Sequence, residues 1–139
     1  MNFHPVITTS LLLLILLNAI FITTPFVSSV SLIDGKIILV NMSTKQTLSA
    51  HCKSNGEDVG TFTIASAGSA SFLSHILVKQ RTVASCSMTL GNLHGDFDVF
   101  DWDRDKSMCF QRICMWRISE DGLSLLINNE HYELQFRWP

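Results

Sequence analysis

The side chains most able to do chemistry gather in one stretch, Asp96–Ile118, which reads DFDVFDWDRDKSMCFQRICMWRI. Aspartates stand at 96, 98, 101, 103 and 105. Asp101-x-Asp103-x-Asp105 imitates the opening of a calcium loop. The EF-hand form then requires Gly at its sixth position and Glu at its twelfth, and here those positions are Lys106 and Arg112. A cation at the sixth position repels calcium, so the run is read as solvent-facing or strand-flanking charge. A calcium site of another geometry is the competing reading. Paired carboxylates also hydrolyse glycosidic bonds, but that chemistry needs a cleft and one carboxyl with a raised pKa. The roughly 110 residues that would remain after removal of an amino-terminal signal segment, with short loops, leave little room for a sugar groove.

Other reactive types are scattered. His51 stands beside Cys52 and reads as a hydrogen-bonded structural histidine, while His75, His94 and His131 lie far apart. A zinc site from His51, Cys52, Cys109 and Cys114 is conceivable, yet the spacings follow no common zinc pattern. No serine sits in a nucleophile-elbow context, and no glycine-rich phosphate loop is present. Catalytic residues, metals and cofactors are therefore expected to be none. Asn41-Met42-Ser43 is a glycosylation sequon. It is open whether Asn41 carries a glycan or lies too close to a strand to be modified.

Something must position these groups, and the chain begins with a segment that does not. Leu11–Ile22 is an uncharged apolar run of signal-peptide length, too short for a comfortable membrane span. Cleavage after Ser29 or Ser31 fits the small residues there, with an uncleaved anchor as the competing reading. The expected division is a signal peptide over 1–31 and one domain over 32–139, secreted and extracellular. The formal net charge is −2, which offers no field to gather nucleic acid or an anionic membrane. Four cysteines in an exported chain predict two disulfides. Three pairings exist. The one preferred here joins Cys52 to Cys86 and Cys109 to Cys114, which requires the chain to turn within Phe110–Ile113.

The rest reads as short strands. Lys36–Met42, Gln46–Lys53, Thr61–Ala65 and Phe72–Val78 are strand-like, with turns at Ser54–Asp58 and Ala67–Ser71. Thr82–Leu90 alternates, with Thr82, Ala84, Cys86, Met88 and Leu90 facing inward. Gly91–Gly95 is a turn, followed by a central strand pair around the charged loop Asp103–Lys106. Asp121-Gly122 signals a hairpin, and Asn128-Asn129 the next turn. In the closing run, alternation puts Tyr132, Leu134, Phe136 and Trp138 on one face. Eight or so strands, no amphipathic helix and two disulfides predict an all-β, antiparallel sandwich, with a closed barrel as runner-up.

Phe97-Asp98-Val99-Phe100-Asp101, Arg104-Asp105, Cys109, Cys114-x-Trp116-x-Ile118 and Asp121-Gly122-Leu123 resemble the signature of the plant self-incompatibility S-protein homologues. His51-Cys52-Lys53-Ser54 with Glu57-Asp58-Val59-Gly60 is similar to that family's other marker, and Val40-Asn41 and Trp138 also fit. The chain departs from the family at Val83-Ala84-Ser85 and Leu90, where aromatic residues are common. The resemblance implies a secreted plant β-sandwich without known enzymatic activity, and a signalling ligand for a cell-surface receptor protein. A small carbohydrate-binding or hydrolytic protein using Asp96–Asp105 is the alternative. The expected recognition surfaces are Asp103, Arg104, Asp105 and Lys106, with the polar turn Asn55–Asp58, on a monomer that does not insert into membranes. Arg104 and Asp105 could equally form a structural salt bridge that shapes the loop.

Overall fold

The computed structural model describes residues 33–77 and 80–139. The expected signal segment, 1–31, lies outside them. Strands β1 (Ile33–Asn41), β2 (Leu48–Ser54), β3 (Glu57–Ile64), β4 (Ser69–Ile76), β5 (Val83–Leu90) and β6 (Leu93–Asp101) lead to a single helical turn, α1 (Trp102–Asp105). Strands β7 (Ile113–Ser119), β8 (Gly122–Ile127) and β9 (His131–Phe136) complete the domain. One sheet runs β4-β1-β7-β8-β9 and the other β3-β2-β5-β6. This is the expected sandwich, with nine described strands.

Period-two burial explains the layers. β1 turns Gly35, Ile37, Leu39 and Asn41 inward, and β5 turns in Ala84, Cys86, Met88 and Leu90 after buried Thr82. Trp116, Phe100, Leu48 and Leu125 fill the space between the sheets. Gly35 is needed there, because a Cβ would stand 2.7 Å from the Phe100 ring.

Four details differ from the sequence reading. All pairings are antiparallel except β1 with β7, which run parallel from Lys36 opposite Ile113 to Asn41 opposite Ile118. The central pair β6 and β7 do not pair as neighbouring strands; the chain crosses from one sheet to the other between them. Ser69–Ser71, expected as a turn, is strand paired with Val40, Leu39 and Ile38. Finally, the closing aromatics divide between two faces. Gln135 is an extra residue between the Ser124–Leu134 and Leu123–Phe136 pairs. A bulge of one residue reverses the alternation. Phe136 and Trp138 pack on the core, while Tyr132 stacks under Arg117 at 3.8 Å on the opposite side.

The preferred disulfides are present. Cys52 and Cys86 are cross-strand partners on β2 and β5, and both are buried. Cys109–Cys114 closes the tight turn it requires, with Gln111 and Arg112 at φ of 52° and 61° and a bridge between Phe110 and Ile113. No cysteine is free, so the zinc reading falls.

Candidate functional site

The two predicted recognition segments meet at one end of the sandwich. The β2–β3 connection is a tight Asn55-Gly56 turn with φ of 51° and 81°, the left-handed pair that an Asn-Gly hairpin accepts. Asn55 fastens it. Its backbone N–H donates to the Val83 carbonyl at 2.9 Å, its Oδ1 accepts from the Val83 N–H at 3.2 Å, and its Nδ2 donates to the His75 carbonyl at 3.0 Å. One residue away, the Thr82 carbonyl accepts from the Trp102 N–H at 3.0 Å, which opens α1. The segment Thr82–Val83 thus braces both turns.

The predicted charged loop is a turn of helix built around two carboxylates. Asp101 caps it, Oδ1 accepting from the Asp103 N–H at 3.2 Å. Arg81 approaches Asp101 with a bidentate grip through Nε and Nη2. The hydrogen bond from Arg81 and its charge hold the Asp101 carboxyl below the ordinary value of 3.8. Asp105, 0% exposed, receives Arg104 Nε at 2.6 Å and Nη2 at 2.7 Å, and its Oδ2 also accepts from the Asp101 N–H at 2.9 Å. Arg104 additionally donates to the Asp98 carbonyl at 2.9 Å, and its guanidinium lies 5.8 Å and 5.6 Å from the centres of the Trp116 and Phe136 rings. Burial acts to lower the Arg104 pKa; the bonds to Asp105 outweigh it and keep the cation firmly charged.

An irregularity in β6 completes the arrangement. Val99 is extra between the Ser85–Asp98 and Ala84–Phe100 pairs. Its carbonyl takes the indole N–H of Trp116 at 2.7 Å, so no polar atom is stranded by the bulge. The spacing of Phe97, Val99, Phe100, Asp101, Arg104, Asp105 and Trp116 follows from this one ionic and aromatic knot.

Several expectations change accordingly. Asp105 is sealed inside and cannot touch a partner, and Arg104 is turned largely inward, leaving Asp103 and Lys106 as the exposed members of the quartet. The calcium reading falls because the Asp101 and Asp105 oxygens are already bonded to Arg81, Arg104 and backbone N–H groups. A glycosidase acid requires a raised pKa, and Asp101 is shifted the other way. Among the described residues, the one group of three possible metal donors within 4.8 Å is Asp105, Cys109 and Cys114, and both sulfurs are in a disulfide. Asn41 is buried, its Nδ2 donating to the Gln46 and Ile64 carbonyls at 2.9 Å each. A glycan would replace one of the two Nδ2 hydrogens, cost one of these bonds and need room that a fully buried side chain does not have, so the sequon reads as structural.

Sequence reasoning missed Arg81, because its partner lies 20 residues away. It also missed two exposed pairs, His51 Nε2 with Asp58 Oδ1 at 2.6 Å and His75 Nδ1 with Asp34 Oδ1 at 2.5 Å. Two open clefts flank this end and share Leu77. One, of 540 Å³, lies between Ile33, Arg81, Trp102 and Lys106. The other, of 360 Å³, lies between β4 and the β2–β3 turn.

A two-sheet body clamped by two disulfides, with a largely buried Arg–Asp pair holding one helical turn, defines a small disulfide-bonded β-sandwich. The chain belongs to the plant self-incompatibility protein S1 family, whose pattern it matches over residues 36–138. Among similar proteins of Arabidopsis thaliana, S-protein homolog 3 is 32% identical over 95 residues, S-protein homolog 18 is 30% identical over 83, and S-protein homolog 2 is 29% identical over 102. These alignments cover 66%, 60% and 71% of this chain and 63%, 62% and 63% of the respective relatives, so the chain spans somewhat less than two thirds of their length. No solved structure matches it. Among the described residues, no helix is long and apolar enough to cross a membrane.

Proposed function

We propose that this protein is a secreted signalling ligand, without catalytic activity, that binds a protein on the surface of plant cells. Membership of the self-incompatibility family supports the class of role. The observation that carries the reading is the end described above. Asp103, Lys106 and the Asn55–Asp58 turn are held out by hydrogen bonds to strands beneath them, so little ordering entropy opposes their engagement. Two of the aspartates that could serve a reaction, Asp101 and Asp105, are instead bonded to Arg81 and Arg104. Labelled protein added to intact plant cells should bind saturably, and protease treatment of the cells should abolish that binding. Non-saturable uptake would overturn the reading. Tissue expression then separates a pistil signal from a general one.

A further inference from the structure

Each sheet of an open sandwich has two edge strands, and exposed edges are normally blunted by charge, bulges or proline. Here β3, β6 and β9 follow that rule. Each contains a bulge, at Val59, Val99 and Gln135 respectively, and each carries carboxylates, such as Glu57 and Asp58, Asp96 and Asp98, and Glu133. The remaining edge, β4, breaks it. Ser69–Ile76 has no charged residue of the Asp, Glu, Lys or Arg type, no proline and no bulge, and it pairs with β1 in unbroken register from Val40–Ser69 to Ile33–Ile76. The His75 carbonyl accepts from Asn55, which lies on the side away from β1. Strand alternation then points the N–H and C=O of Leu73 and Ser71 the same way, away from β1 on the unpaired edge of the sheet.

A cleft lies along this edge. Leu73, Leu77 and Val59 give it apolar walls, and Glu57 and Asp58 stand at its rim. Leu73 is 55% exposed, an unusual place for a leucine without a partner. Asp58 already faces His51 and Lys53, whereas Glu57 makes no salt bridge among the described residues. An apolar trough lined also by a carboxylate that makes no salt bridge among the described residues fits a side chain with a long hydrocarbon stem and a cationic head.

We propose that the free edge of β4 receives an extended segment of the partner as an added strand, with a lysine or arginine of that segment laid along Leu73 and Val59 toward Glu57. The mode is strand addition, in which backbone bonds supply affinity and side-chain pockets supply selectivity. The proposal deepens the ligand reading and rests on it, naming the surface and the chemistry of the partner.

The test uses the folded protein and short synthetic peptides of alternating threonine and valine with one central lysine. Backbone amide NMR should show shifts confined to Ser69–Leu77 and Glu57–Val59. Replacing the central lysine by glutamate should weaken binding about fivefold, the size of one exposed ion pair, and Glu57→Lys should reverse that preference. Methylating the peptide nitrogens that face β4 should abolish binding. Leu73→Pro should do the same, because that nitrogen points away from β1 and proline is tolerated on such an edge. Should Leu73→Pro fail to fold, the methylated peptide and Glu57→Lys still decide. Shifts elsewhere, no shifts at all, or equal binding by the methylated peptide would overturn the proposal. A dimer of the protein alone that Leu73→Pro dissolves would also overturn it, assigning the edge to self-association. The cell-binding assay is independent: saturable binding unchanged by Leu73→Pro and Glu57→Lys removes this surface and leaves the ligand reading intact.

Discussion

Asp105 looks, in a linear reading, like the third tooth of an acidic comb, and it is the one carboxylate in that stretch with no contact with water. Removing it strands the Arg104 guanidinium against Trp116 and Phe136 and frees the Asp101 N–H. Asp105→Ala should therefore destabilise the domain by about 3 kcal/mol, the low end for breaking a buried pair because Arg104 keeps some solvent, read as a lower urea midpoint at unchanged slope. Asp101 answers differently, through protons. Its carboxyl is depressed on folding by Arg81. Such a group adds stability above its unfolded pKa and loses that contribution as pH falls through the folded value. In Arg81→Met, stability should drop at neutral pH, and the difference from the parent should close as pH falls below about 4. A difference constant down to acid would show that Arg81 acts through packing instead.

At the scale of elements, the two disulfides offer the sharpest comparison. Cys52–Cys86 spans 34 residues and Cys109–Cys114 spans five. The chain-entropy account predicts losses of about 4 and about 2 kcal/mol when each is removed as a pair. Guanidinium unfolding of the two double-serine variants should rank them in that order. Much of this framework was readable in advance. The inward set Thr82, Ala84, Cys86, Met88 and Leu90 is buried as its alternation predicts, since β5 lies mid-sheet and pairs without a bulge of its own. β9 shows where the method ends: the extra Gln135 is indistinguishable from a regular strand residue until its neighbour β8 is known. Ser69-Ala70-Ser71 lacks the branched and aromatic residues that mark strands, and it is drawn into one by β1 beside it. A single helical turn leaves no periodic trace, so α1 was read as loop. Of the site, the spacing of the charged residues was visible. Which carboxylates face inward was not, because that depends on Arg81, Arg104 and Trp116 arriving from different elements.

For the whole molecule, the connectivity of the sheets governs how the fold can be reached. The sheet of β2, β3, β5 and β6 draws only on residues 48–101, whereas β1 must wait for β7 before both its neighbours are present. A chain ending at Asp101 should show no cooperative thermal transition, although it contains a complete four-stranded sheet, since only β1 and β4 of the facing sheet would remain and the interior would lack Trp116, Ile118, Leu123 and Leu125. A sharp melt from that fragment would contradict the dependence. The parallel partnership of the first strand with the seventh has a consequence for biosynthesis. A polypeptide threaded amino-end first into an oxidising compartment exposes its first strand long before the mate for that strand emerges. In the secreted protein proposed above, Cys52 and Cys86 both lie on strands made before that mate, so their sulfurs can join while the first strand still waits.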